Sequence, residues 1–479
     1  MVLAIVRARL QSITLDEATT YFWWVRAYSL WSPVSNNHVL NSLLMRVSTH
    51  AFGTSVLTVR VPALLGAVLY ISVSYFLCRS ITDRFSLQLP VFICLVYNPF
   101  ILDFMVAARG YGLANAFLLT AIAIPIWHRQ TGGASLPKSC ALASLALGLS
   151  FTANFSFAFV AAAVFFALAA WALSMRGTDS AGRILGCCVV PGLLVALLIG
   201  GYPIIRMPRE ELWIGAHSLR EMWRSLIEAS LHQLDPRFLG SRYYKALNSF
   251  KPRVLPYVGI FCICQLVAAL LDGSWREGSR ESRQRWRGWM TAALAAIVTL
   301  TVLLHWLAFR FDNLPLPKGR TGIFLLPLFT LIAAAIAASP ARSLVSQWLR
   351  RGTTAALCCL ACYFLLCLRV SYFEEYQWDA DVKEVYGVLA GLNHTSGVAD
   401  VAVSGLYHAP LNFYRILSNV VSKKETFPEF TLISDDLHPP SGKAVYVLAV
   451  PFQQAFIDEQ KLRVIYHGKS TDVIVAVRP

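Results

Sequence analysis

The chain has 479 residues, of which 56% are hydrophobic and 14% charged, and its mean hydropathy is +0.54. That composition excludes an ordinary soluble domain or a disordered chain and points to a polytopic membrane protein. The net charge of +15 invites a nucleic-acid partner, but most basic residues fall in short loops between apolar runs. That distribution belongs to membrane topology and argues for no nucleic acid.

Residues 1–56 read as an amphipathic segment rather than a span. Met1 to Leu10 is too short for a cleavable signal peptide and carries Arg7 and Arg9. The acidic pair Asp16-Glu17 follows, leading into the aromatic run Tyr21-Phe22-Trp23-Trp24. Leu30 to Pro33 and the pair Asn36-Asn37 break the segment into two short helices. Its aromatic content suits the lipid headgroup level.

Runs of about bilayer-spanning length follow near 57–78, 86–104, 110–127, 139–153, 155–174, 184–205, 254–272, 289–309, 322–338 and 353–369. The short run 139–153 is expected to form a tight hairpin with its neighbour. Within 206–253, Leu219, Met222, Trp223, Leu226, Ile227 and Leu231 recur at helical spacing, which predicts a second interfacial helix. After Arg369 the chain turns polar and mixed. Val401 to Ser404, Ala444 to Val450, Arg463 to Tyr466 and Val473 to Val477 read as strands, and Asp381 to Leu392 as a helix. The fold class is therefore mostly α, a polytopic transmembrane helical bundle of about ten spans with a small C-terminal α/β domain. Its divisions are 1–56, a first loop with interfacial helices; 57–369, the transmembrane domain; and 370–479, the α/β domain.

Arginine in the short loops orients the bundle. Arg79 and Arg84, Arg129 and Lys138, Arg176 and Arg183, Arg276 to Arg287, and Arg342 to Arg351 fall on one side, which the positive-inside rule makes cytoplasmic. Asp16-Glu17, the loops 206–253 and 310–321 and the C-terminal domain are then extracytoplasmic. All eleven cysteines lie in or beside apolar runs and read as small buried hydrophobes, with no disulfide framework or zinc site.

Four motifs share the outer face. Asp16-Glu17 reads either as a helix start, where carboxylates favour the first turn, or as a general base over a lipid-linked substrate. Desolvation beside lipid is expected to raise the pKa of such a carboxylate. Asn36-Asn37-His38 opens the next helix, and His38 either caps it or lies beside the carboxylates. Asp103 stands near Ala108-Arg109-Gly110-Tyr111-Gly112, where Arg109 either neutralises Asp103 or meets a substrate, because unpaired charge at a membrane boundary is expensive. Lys318 and Arg320 either snorkel as interface anchors or grip a phosphate.

The acidic pair before an interfacial helix, the Asn-Asn-His element, Arg60-Val61-Pro62 opening the next span and Ala108-Arg109-Gly110-Tyr111 together resemble the membrane glycosyltransferases of the GT-C fold. Within that fold the chain looks most like the bacterial protein mannosyltransferase-like and aminoarabinose transferase-like families, best over residues 14–125. The resemblance implies inverting transfer of a sugar from a polyprenyl-phosphate donor to a glycolipid, polysaccharide or protein acceptor outside a bacterial inner membrane. It makes Asp16 the catalytic carboxylate and Glu17 its neighbour. Asn37, His38, Arg60, Asp103, Arg109, Tyr111, Lys318 and Arg320 would then bind substrate, with membrane lipids around the spans. The family places a spanning helix before the acidic loop, so an upstream helix is expected, and Asn37-His38-Val39 stands where the family has His-Pro-Pro. No cofactor is certain, and a divalent metal stays possible.

Other classes make different demands. A secondary transporter or lipid flippase would carry ionisable residues deep in its spans and pseudo-symmetric halves, and neither is evident here. A non-catalytic membrane assembly protein would leave the clustered outer-face motifs without a role. A polymerase or ligase acting on a diphosphate-linked glycan would share most of the chemistry and differ in donor size.

Overall fold

The structure, a computed structural model, describes residues 1–27, 29–132, 134–231, 282–339, 344–422, 427–434, 440 and 442–479. Among them, seven helices are long and apolar enough to cross a membrane: Val56–Ile81, Tyr111–Thr131, Leu136–Ala153, Phe155–Met175, Ala181–Arg206, Trp289–Asp312 and Ser346–Leu366. Two shorter apolar helices, Phe85–Val96 and Leu325–Ala338, pack with them. The expected span at 254–272 lies outside the described residues. Leu193, Leu194, Leu197 and Leu198 on Ala181–Arg206 stay exposed, as a lipid-facing helix requires.

The run read as one span over 86–104 is two elements. Helix Phe85–Val96 stops at Tyr97, and the helix Pro99–Phe104 begins anew. Asn98 precedes a proline, which disfavours helical backbone at that residue. Its side chain also accepts from the Phe100 and Ile101 amides at 3.1 and 3.3 Å, capping the second helix. Beyond this break the chain carries Asp103 and Arg109, both buried, against the first loop. Gly110 completes the turn with φ +75°, where an added Cβ would lie 2.1 Å from the Ala153 carbonyl oxygen, so glycine is required there.

Where two short helices were expected, the first loop holds three helical pieces: Val2–Leu10, Leu15–Thr20 continuing as a π-turn through Arg26, and Val39–Phe52. The helix expected near Leu219 forms as Leu219–Ser230, burying Met222 and Leu226. The cysteine expectation holds for Cys78, Cys94, Cys140, Cys188 and Cys367. Cys187 and Cys358 are half-buried, Cys359 and Cys362 are exposed, and Cys262 and Cys264 lie outside the described residues.

The C-terminal domain is a five-stranded sheet in the order β2-β1-β3-β5-β4, where β1 is Val401–Ser404, β2 Thr431–Ile433, β3 Val445–Ala449, β4 Arg463–His467 and β5 Val473–Val477. β1 runs parallel to β2 and β3, and β5 is antiparallel to β3 and β4. Alternation along β3 sends Tyr446 and Leu448 to a core with Phe456 and Ile457. Val445 and Val447 face the other way, into a core shared with helices Val382–Ser396 and Gly405–Ser422. That second core also contains Ile13, Ala18, Tyr21 and Val25 of the first loop. The sheet domain and the first loop thus share one core, which also takes in Val59 and Ala108. The β2 strand and the helix Gly405–Ser422 were not among the expected elements.

Candidate functional site

Thr14 caps helix Leu15–Thr20 through a reciprocal box: its hydroxyl accepts from the Glu17 amide at 3.1 Å, and Glu17 Oε2 accepts from the Thr14 amide at 3.0 Å. The box turns the Glu17 carboxylate inward, where it is fully buried. There Arg60 grips it with two bonds, Nε to Oε1 at 2.9 Å and Nη2 to Oε2 at 2.8 Å, and the Ala108 amide adds a third at 2.9 Å. Arg60 spends its remaining donors on the Ala8, Gln11 and Ser12 carbonyls. Glu17 and Arg60 are therefore committed to each other and to the N-terminal backbone. The Thr-x-x-Glu spacing was the sequence signal for this role.

Asp16, one residue earlier, projects from the opposite side of the same turn and keeps 17% of its side chain exposed. Its Oδ2 accepts from Arg320 Nη1 at 2.8 Å and from the Tyr376 hydroxyl at 3.1 Å, with Arg109 Nε 3.3 Å away. Among the described residues, no hydrogen bond reaches Oδ1. Burial alone would raise the Asp16 pKa, but Arg109 and Arg320, helped by the Tyr376 hydrogen bond, outweigh it and hold the carboxyl at about 2. This reverses the desolvation expected from lipid proximity, because two guanidiniums stand within contact distance.

Arg109 is wholly buried and fixed by the first loop. It donates to Thr20 Oγ1 at 2.8 Å, the Asp16 carbonyl at 3.4 Å and the Asn36 side chain. The alternative pairing of Arg109 with Asp103 is not what forms. Asp103 pairs instead with Arg7 and accepts from the Glu374 and Glu375 amides at 2.9 and 3.2 Å. Arg7, which the sequence offered only as a mark against a signal peptide, is the counter-ion.

His38 is buried at the start of helix Val39–Phe52, edge-on to Tyr111 at 5.3 Å. Neither ring nitrogen has a hydrogen-bond partner among the described residues. Burial first, then Arg109 and Arg320, push its pKa well down against the pull of Asp16, so the ring is neutral. Tyr111 packs against Phe104 with the rings tilted and their centroids 4.6 Å apart. Asn37 ties the preceding turn, donating to the Leu30 carbonyl at 2.8 Å and accepting from Ser42 at 3.1 Å. Lys318 is half-exposed and paired to Glu221 at 2.8 Å, so its ammonium faces helix Leu219–Ser230 while Arg320, two residues on, faces Asp16.

The structure therefore brings Asp16, Arg109 and Arg320 into direct contact and sets His38 within their field. Asn37, Arg60 and Asp103 support the surrounding backbone. Two contributors went unread in the sequence, Tyr376 and Glu375, while Asn36 was noticed only as part of the Asn36-Asn37-His38 motif. Burial, with Asp103 and Asp16 adding to it against Arg320, raises the Glu375 carboxyl to about 7. The run Tyr372 to Asp379 has the acidic-aromatic character that drew notice to residues 16–24, and that likeness was the available signal. Among the described residues, no group of three or more His, Cys, Asp and Glu is arranged to hold a metal ion.

No protein-family model matches the chain, and no curated protein does. Among solved structures, the chain is similar to ArnT from Cupriavidus metallidurans bound to undecaprenyl phosphate, at 13% identity over 99% of this chain and 96% of that one, with a TM-score of 0.47. It is also similar to the same protein in the apo state, at 14% identity over 99% and 95%, with a TM-score of 0.39.

Proposed function

We propose that this multi-pass membrane protein is an inverting glycosyltransferase that moves a sugar from a polyprenyl-phosphate donor to a glycolipid, polysaccharide or protein acceptor. The observation that carries the reading is the asymmetry of Asp16: two hydrogen-bond donors and the Arg109 guanidinium converge on Oδ2, and Oδ1 accepts from none among the described residues. A general base needs a fixed carboxylate with one oxygen open to the incoming hydroxyl.

In the reaction, the acceptor oxygen bonds to the anomeric carbon while the bond from that carbon to the phosphate oxygen breaks. The acceptor proton goes to Asp16 Oδ1, and the electron pair stays on the departing phosphate. Arg320 and Arg109 stabilise that charge, since fixed guanidiniums act most strongly in a partly desolvated site. A neutral His38, with both nitrogens uncommitted, is placed to bond the sugar or the acceptor. Glu17 and Arg60 hold the turn that presents Asp16, and Lys318 anchors the loop that carries Arg320. On this reading the chain crosses about ten times, as the apolar runs of its sequence imply, with the site and sheet domain on the extracytoplasmic side.

The test is turnover by the purified full chain against a panel of radiolabelled polyprenyl-phosphate sugars, with Asp16→Asn beside it. The reading expects at least one donor to be consumed by wild type and essentially none by Asp16→Asn. Equal rates in both proteins would remove Asp16 from the chemistry.

A further inference from the structure

The segment between helix Leu344–Leu366 and helix Val382–Ser396 does more than join the bundle to the sheet domain. It lies across the first loop and helix Pro99–Phe104 and is tied to both at intervals. Gln11 Nε2 donates to the Tyr372 carbonyl at 2.8 Å, and the Glu374 and Glu375 amides donate to Asp103. Beyond them, the Leu15 amide donates to Asp379 at 2.9 Å and Ser12 Oγ to the Ala380 carbonyl at 2.8 Å. These bonds bracket Tyr376. Its buried ring meets Phe104, Phe373 and Trp378 edge-on at 6.1 to 6.2 Å. Its hydroxyl donates to Asp16 Oδ2 and accepts from Arg320 Nη1 at 3.2 Å.

Resting on the transferase reading, we propose that Tyr376 is a positioning residue of the transfer site, holding Asp16 Oδ2 so that Oδ1 stays turned to the acceptor when Arg320 shifts to the donor phosphate. The physical need is specific. Arg320 serves Asp16 and Tyr376 with the same nitrogen, and a phosphate that draws it away removes one of the three groups fixing the carboxylate. Arg109 approaches Asp16 at 3.3 Å without a well-directed hydrogen bond. The Tyr376 hydroxyl is then the directed donor that remains. Its placement depends on the strap, so the sheet domain contributes to the site through Tyr376.

The consequence can be read without knowing the sugar. Asp16 faces Arg109, Arg320, Tyr376 and His38, and stands in the field of Glu375 and Asp379. Loss of one hydroxyl donor from that set makes Asp16 easier to protonate. A water-soluble carbodiimide, which attacks protonated carboxyls, should label Asp16 in full-length Tyr376→Phe several-fold more than in wild type at mildly acidic pH, scored by peptide mass spectrometry. Trp378→Leu loosens the packing beside the ring but keeps the hydroxyl, and should label like wild type. On a donor that wild type consumes, Tyr376→Phe should lower kcat about tenfold to a hundredfold, the scale of lost orientation, with KM for donor little changed.

Unchanged labelling in Tyr376→Phe, or equal gains in both variants, would overturn the proposal. So would a wild-type kcat in Tyr376→Phe. If wild type consumes no donor on the panel, the transferase reading falls, and the labelling still decides whether Tyr376 holds Asp16.

Discussion

Asp16 and Glu17 are consecutive, yet their carboxylates meet different arginines on opposite sides of one helical turn. Arg60 closes both oxygens of Glu17 in a fully buried pair, while Arg109 and Arg320 gather at a single oxygen of Asp16. The capping box sets this division, because a glutamate at the third helical position folds back on the cap and the residue before it turns outward.

The division predicts opposite phenotypes. Asp16→Asn keeps the size of the side chain but cannot take a proton, so turnover should fall about a hundredfold or more. The melting temperature of the detergent-solubilised protein should fall less than that of Glu17→Gln, because Asp16 is partly exposed and Glu17 fully buried. A variant that melts early and turns over donor normally when kept cold would reverse the assignment.

Glu17→Gln should act on stability instead. It leaves the Arg60 guanidinium buried without its counter-charge, a change that costs about 3–5 kcal/mol. Removing both charges in Glu17→Gln with Arg60→Met should cost less than the two single changes added together, since the partners interact directly. Thermal unfolding of the four proteins reads this coupling, and strictly additive losses would show that the pair does not act as a unit.

Arg320→Ala should weaken binding of a polyprenyl phosphate and lower turnover by about 2–4 kcal/mol, the scale for one electrostatic stabiliser. Arg320→Lys should recover part of that, because an ammonium lacks the planar fork. Lys318→Ala should change stability by under about 1 kcal/mol, as befits an exposed ion pair. Normal binding of the lipid phosphate by Arg320→Ala would leave this arginine as a partner of Asp16 alone.

Two groups at the site give pH-dependences of opposite sign. Asp16 is lowered from 3.8 to about 2, so its contribution is present above the unfolded value and is lost only as pH falls toward 2. Glu375 is raised from 4.5 to about 7, so the folded state is favoured below the unfolded value and that contribution is lost as pH rises through 7. Glu375→Gln abolishes the second dependence and should gain in melting temperature on wild type between about pH 5 and pH 8. A constant difference across that range would mean that Glu375 titrates as an ordinary exposed carboxyl.

The sequence by itself determined the apolar helical bundle, the amphipathic first loop, the helix near Leu219 and the strands from Val401 and Val473, because each is written in local periodicity. It also singled out Asp16, Arg109 and Arg320, since charge at a membrane boundary has few uses. Tertiary structure decided the pairings. Arg7 rather than Arg109 neutralises Asp103, Arg60 takes Glu17, and Tyr376 reaches Asp16 from 360 residues away. Even the direction of the Asp16 pKa shift turned on those pairings: burial is a property of a segment and can be anticipated, whereas the arrival of two guanidiniums from distant loops is set by the break at Asn98-Pro99, the turn at Gly110 and the docking of the sheet domain on the first loop.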